Sequence, residues 1–203
     1  MYRRLNILCF LFFVASCITE AQTDSIHIIR VRFLYGSKPK RAERSTEPKY
    51  FGGIHGGHVT IEVDSIDYGF EPANGFHILA HGKHFKSDFV ARKTPVERYG
   101  PGSKMTTVLI PLTDKQYKQL NEIHSCYCAN TPYDYAFFGM RCAASAEHIL
   151  ELIGLSRHRG ITATIASTFY PKMLRKRLLR LASKKHYQVI RQEGRHTRVW
   201  EKD

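Results

Sequence analysis

Acidic side chains are scarce in this 203-residue chain: 18 Asp and Glu stand against 31 Lys and Arg, a formal net charge of +13. Cysteines are few. Those past the N-terminal stretch, Cys126, Cys128 and Cys142, make no disulfide framework. Cys126 and Cys128 lack a second Cys/His pair at zinc-site spacing, which argues against a structural zinc site, and they read as structural residues. No apolar run reaches the roughly 20 residues of a membrane-spanning helix. There is no internal repeat and no low-complexity segment, so neither a solenoid nor a disordered chain is indicated.

What the N-terminus does have is a basic start, Met1-Tyr-Arg-Arg, followed by a ten-residue apolar run from Leu5 to Val14. That pairing fits a signal peptide over residues 1–21. Two processing sites compete. Thr19-Glu-Ala21 before Gln22 suits an ordinary signal peptidase. Val14-Ala-Ser-Cys17 resembles a lipoprotein signal and would make Cys17 a lipidated membrane anchor. Either reading exports the protein to the periplasm, the outer membrane or the medium. Residues 25–203 are then a single domain, about 180 residues and large enough for one core.

Apolar and polar residues alternate over Ile26–Tyr35, His58–Asp64, Tyr68–Pro72 and Met105–Leu112, which predicts strands; the second and third form a hairpin. Phe76–Ala80 and His84–Val90 are further strand candidates. Gly36–Lys49 and Arg92–Ser103 read as loops. Thr113-Asp-Lys-Gln116 is a capping box opening a helix over 114–128. A second helix runs from Cys142 to Gly154 and a third over 169–182, capped by Ser167 or Thr168. Tyr187–Gln192 and Arg195–Trp200 read as a closing hairpin. The fold class is therefore α+β, an antiparallel sheet with packed helices and the His58 strand central.

Two stretches carry chemistry. In Pro132-Tyr-Asp-Tyr-Ala-Phe-Phe-Gly-Met-Arg-Cys142, a loop delivers a cysteine to the first turn of an Ala-rich helix. Free N–H groups and partial positive charge there favour a thiolate and can hold an oxyanion. The position implies an activated thiol, alkylated faster than Cys126 or Cys128. In Gly56-Gly57-His58-Val-Thr-Ile-Glu-Val63, paired glycines lead into a strand whose first residue is an imidazole. A Cys and a His in these settings form the pair that activates a thiol nucleophile.

Residues of about 50–155, with the His strand first and the Cys helix later, resemble the circularly permuted branch of the papain-like superfamily. That branch includes lecithin:retinol acyltransferase-like proteins and bacterial lipoprotein hydrolases, and it is related to the NlpC-type cell-wall peptidases. The resemblance implies a cysteine hydrolase acting on amide bonds of a cell-wall peptide, another peptide or an isopeptide, with no cofactor or metal. An acyltransferase or lipid hydrolase is an alternative. So is a non-catalytic binding or structural lipoprotein on the same fold. Cys142 would be the nucleophile and His58 its base. Glu71, thirteen residues after His58, takes the place of the group that orients the imidazole, with Asn74 and His77 as substitutes. Tyr133, nine residues before the cysteine, resembles the loop tyrosine on the oxyanion side, and Tyr135 can substitute. One departure is plain: the family usually has Asn or Asp before the cysteine, and this chain has Arg141.

His77, His81 and His84 have metal-ligand spacing only on a helix, and Asn74-Gly75 and Gly82 argue against one. Positive charge gathers at the end: residues 157–203 hold thirteen Lys or Arg against three acids, +10 of the total. The functional reading is an anionic partner such as lipid headgroups or cell-wall polymer; the plainer one is a solvated face. Export and the absence of interleaved aromatics argue against nucleic acid.

Overall fold

The computed structural model describes residues 27–47, 57–73, 77–80, 87–92 and 102–203. The expected signal segment with Cys17 and Gln22, together with Asn74, His81 and His84, lies outside the described residues.

Among the described residues, eight strands and four α-helices follow one another as β1 (His27–Leu34), β2 (Ser37–Pro39), β3 (His58–Val63), β4 (Ile66–Pro72), β5 (Ser87–Arg92), β6 (Met105–Leu112), α1 (Asp114–Ala129), α2 (Cys142–Leu152), α3 (Ile161–Ser167), α4 (Pro171–Lys185), β7 (Val189–Gln192) and β8 (Arg198–Trp200). Six strands form one sheet in the order β5-β4-β3-β1-β6-β7, every neighbour antiparallel. The fold is α+β, and β3 and β1 are its two middle strands.

Period-2 alternation sorts the sheet into two unlike faces. Ile29, Val31 and Phe33 of β1, Val59, Ile61 and Val63 of β3, and Val108, Ile110 and Leu112 of β6 form one cluster with α2 and with Leu174 and Leu178 of α4. Helix α2 is so deeply set that ten of its eleven residues are buried, Glu147 and Glu151 included. Buried carboxylates need partners. Glu147 has Arg159 and Arg177, and Glu151 accepts from Thr164 Oγ1 at 2.8 Å.

The opposite face is polar, and at Thr60, Glu62 and Asp67 it is also buried. Arg30 and Arg32 pair with Glu62, and Thr60 Oγ1 donates to Asp67 at 2.6 Å. The β3–β4 connection is the two-residue turn Asp64-Ser65, both with positive φ, as a hairpin of native twist requires.

The capping box at Thr113 is present as read: its side chain accepts from the Gln116 amide, and Gln116 Oε1 accepts from the Thr113 amide at 3.0 Å. Thr113→Ala is expected to cost about 1 kcal/mol, seen as a lower urea midpoint with an unchanged m-value.

Four expectations need correction. The 36–49 loop contains β2, which pairs with β8 in a two-stranded sheet. The closing hairpin does not exist as such: β7 instead extends the large sheet beyond β6, while β8 goes to β2. Arg198 holds that second sheet, its buried guanidinium bonded to Glu47 and Ser37. Helix α4 starts at Pro171 behind Tyr170, with no side-chain cap, in place of a Ser167 or Thr168 cap. Helix α3 was not expected; it is seven residues long and rich in β-branched side chains, with no apolar stripe. Of the two further strand candidates, the later appears as β5. Residues 77–80 instead make a single bridge to the cysteine loop, His77 against Ala136.

Candidate active site

Cys142 is the first residue of α2, as its sequence context implies, and Arg141 is the extended residue before it. The thiol accepts hydrogen bonds from the backbone amides of Val59 and Ala143 and bonds to the Tyr135 hydroxyl. The same hydroxyl meets the Cys142 amide.

The Val59 amide is available to sulfur because pairing between β3 and β4 stops short: it spans Ile61–Val63 and Ile66–Tyr68 only. The two strands part at the end that carries His58 and Glu71, and the cysteine sits at that opening.

His58 and Glu71 are brought together on the polar face. His58 pairs with Leu34 in register, on the side away from Val59. Its Nε2 lies 3.9 Å from Glu71 Oε1. Gly69 lets them meet: a Cβ there would lie 3.3 Å from Glu71 Oε1 and 3.6 Å from His58 Nε2. The left-handed Gly57 lets the chain enter β3, since a Cβ at that φ of 73° would strike the Leu34 carbonyl. Glu71 is also gripped by Arg92, with bonds of 2.8 and 3.0 Å to its two oxygens. The carboxylate thus divides its charge between an arginine and the imidazole. The thiol meets β3 at the Val59 amide, and the imidazole belongs to the residue just before it.

Tyr133 is not the residue over the thiol. Its hydroxyl donates to Tyr127 at 3.0 Å, and its ring stands edge-on to Phe70. Tyr135, the substitute, takes the place at Cys142. Burial pushes the Tyr135 hydroxyl well above the usual phenol range, so it stays protonated and can donate. His77 is tied to the cysteine loop by an Nδ1 to Asp134 Oδ2 contact of 2.7 Å; the carboxylate is almost wholly buried. Asp134, Arg92 and the Val59 amide had not been singled out. Arg92, read as the first residue of a loop, is in fact the last residue of β5.

The expected low-pKa thiol is corrected. Burial raises the Cys142 pKa, outweighing the two amides, the Tyr135 hydroxyl and the Arg141 charge, all of which pull it down. Cys142 is 5 % exposed, and the cavity beside it holds ≈ 10 Å³, room for about one water. Arg141, the departure from the family pattern, is structural in its contacts. It bonds to the carbonyls of Phe137 and Ile165 and lies 3.4 Å over the Phe169 ring, fastening the cysteine loop to α3. Among the described residues no group of three His, Cys, Asp or Glu side chains is arranged to hold a metal ion.

No protein-family model, curated protein or solved structure matches the chain.

Proposed function

We propose that the protein is an exported cysteine hydrolase of the permuted papain-like kind, cleaving amide bonds in a peptide, cell-wall peptide or isopeptide. The observation that carries this reading is the convergence of the Val59 amide, the Ala143 amide and the Tyr135 hydroxyl on Cys142, where β3 and β4 part beside His58 and Glu71. A thiol whose resting form is neutral acts through a general base rather than as a standing ion pair. His58 takes the thiol proton as sulfur bonds to the substrate carbonyl carbon. The carbonyl oxygen becomes an oxyanion, held by the Cys142 amide and the Tyr135 hydroxyl, with Tyr135 replacing Tyr133 in that role. Collapse breaks the C–N bond, and His58 returns the proton to the leaving amine. Water then attacks the thioester, His58 accepting its proton, and the thiol is released. Glu71 stabilises the imidazolium.

Peptidoglycan, peptide and phospholipid pools incubated with the wild type should yield a mass-shifted product absent with Cys142→Ala. A lipid product would make the enzyme an acyltransferase or lipid hydrolase. No change in any pool would remove the catalytic reading.

A second reading is a non-catalytic binding protein on the same fold. The burial and raised pKa of Cys142 favour it. In the free protein, iodoacetamide is expected to label Cys126 and Cys128, both exposed, before the buried Cys142, as peptide mass spectrometry would record. Cys142 labelled first would mean an open, activated thiol in solution and would count against the binding-only reading.

A further inference from the structure

The loop before Cys142 carries an apolar surface that the proposed chemistry does not use. Residues 77–80 run beside residues 136–138 through two backbone bonds, Phe137 N to His77 O at 2.8 Å and Phe138 N to Ile78 O at 2.9 Å. These adjoining segments carry three large apolar side chains, Ile78, Leu79 and Phe138, exposed by 67, 66 and 62 %. Exposed apolar groups clustered in this way mark a contact surface. An aromatic ladder continues from them: Phe138 to Phe137, 4.8 Å between centroids, Phe137 to Phe169, 5.2 Å, and Phe169 to Tyr170, 4.7 Å. Tyr170 is the residue before α4, and both it and Met173, one turn on, are exposed.

Beyond Met173 the same exposed side of α4 presents Lys176, Arg180 and Lys184, and the helix contains no acidic residue. Two other arginines of α4 point inward. Arg175 is fully buried, bonded to Asp203 at 2.8 Å, and Arg177 reaches Glu147 and the Ser167 carbonyl. The cluster of positive charge at the end of the chain is thus sorted into internal ion pairs and an outward cationic stripe.

An apolar tip running through aromatics into a stripe of cations matches the cross-section of an anionic bilayer surface. Apolar and aromatic groups suit the acyl boundary, and Lys and Arg suit the headgroup phosphates. A soluble polyanion would engage the cations and leave Ile78, Leu79 and Phe138 in water. Among the described residues no helix is long and apolar enough to cross a membrane, so contact through this surface is with the interface. We propose that this face docks the protein on an anionic lipid surface, with Phe138, Ile78 and Leu79 inserted at the headgroup–acyl boundary and the α4 stripe against the phosphates. Docking does not depend on the reaction proposed at Cys142, and Cys142→Ala is expected to bind vesicles as the wild type does.

The test is Phe138→Trp in the full chain, mixed with phosphatidylcholine vesicles with or without about 30 % phosphatidylglycerol. The difference spectrum against the wild type isolates the new indole from Trp200. The expected result is a blue shift, and quenching by brominated acyl chains, with the anionic vesicles only, weakening as salt approaches about 0.5 M. Lys176→Glu/Arg180→Glu/Lys184→Glu in that background should lower partitioning by about a hundredfold or more, because each cation near the surface contributes about fivefold and each added carboxylate is repelled. If that triple variant melts early, Lys176→Gln/Lys184→Gln replaces it, with roughly a tenfold or greater loss expected. An indole at 138 that stays in water with anionic vesicles overturns the proposal. So does salt-independent insertion into phosphatidylcholine alone, or equal binding to a soluble polyanion such as polyglutamate with the indole unshifted.

Discussion

Replacing His124 by Leu is expected to make the protein markedly more resistant to acid. His124 is fully buried on α1, its ring 3.7 Å from Tyr68 and 5.7 Å from Phe89. Burial lowers its pKa from an ordinary 6.5 to about 3. The folded protein therefore holds a neutral imidazole where the unfolded chain binds a proton. The stability linked to this residue is complete above pH 6.5 and is lost as pH falls from there towards 3. The loss is about 2 kcal/mol at pH 5 and about 4 kcal/mol at pH 3.

Asp67 has the opposite slope. Burial raises its carboxyl from 3.8 to about 6, so its contribution is complete below pH 3.8 and is lost as pH rises through 6. The wild-type stability curve mixes the two, and the difference between wild type and His124→Leu separates them. Urea unfolding at pH 7, 5 and 4 should show the variant gaining on the wild type at each step down. A difference that does not change with pH would mean that His124 is solvated or bonded in the folded state.

The second large effect is kinetic. His58→Ala should lower kcat/KM by about 10²–10⁴, the usual worth of a positioned base. Cys142 is neutral at rest, so no standing thiolate is present to make up for the lost base. Glu71→Gln should cost less and show a particular signature. A carboxylate 3.9 Å away stabilises the imidazolium. Removing its charge lets the base stay neutral to lower pH, so the acid limb of kcat/KM moves down the pH scale as its plateau falls. A Glu71→Gln profile with an unmoved acid limb would make Glu71 a partner of Arg92 alone. A His58→Ala enzyme within a few-fold of wild type would remove His58 from the chemistry.

Much of this site was legible because local rules fixed it. The capping box, the Cys142 helix start and the His58–Glu71 hairpin each depend on residues close in sequence. What the sequence hid depends on packing, on which side chains the fold buries and which neighbours it sets against them. Tyr133 and Tyr135 share one loop, and the choice between them is made by Tyr127 on one side and the Cys142 amide on the other. The thiol's raised pKa follows from how deeply α2 sinks into the sheet, and alternation along α2 gives no measure of that depth. The α4 charges looked uniform, yet burial splits Arg175 and Arg177 from Lys176, Arg180 and Lys184. The closing strands have hairpin patterning, and each pairs with a remote edge that the local turn does not encode.

The attack proposed for Cys142 on a carbonyl has an acyl-enzyme as its most direct consequence. Wild-type protein quenched in acid during turnover of a responsive pool, digested and mapped by tandem mass spectrometry should carry an acyl group on the Cys142 peptide. The adduct should be released by hydroxylamine, absent from Cys142→Ala and nearly absent from His58→Ala. Product formation with Cys142 unmodified, or a Cys142→Ala protein that still turns over, would contradict it.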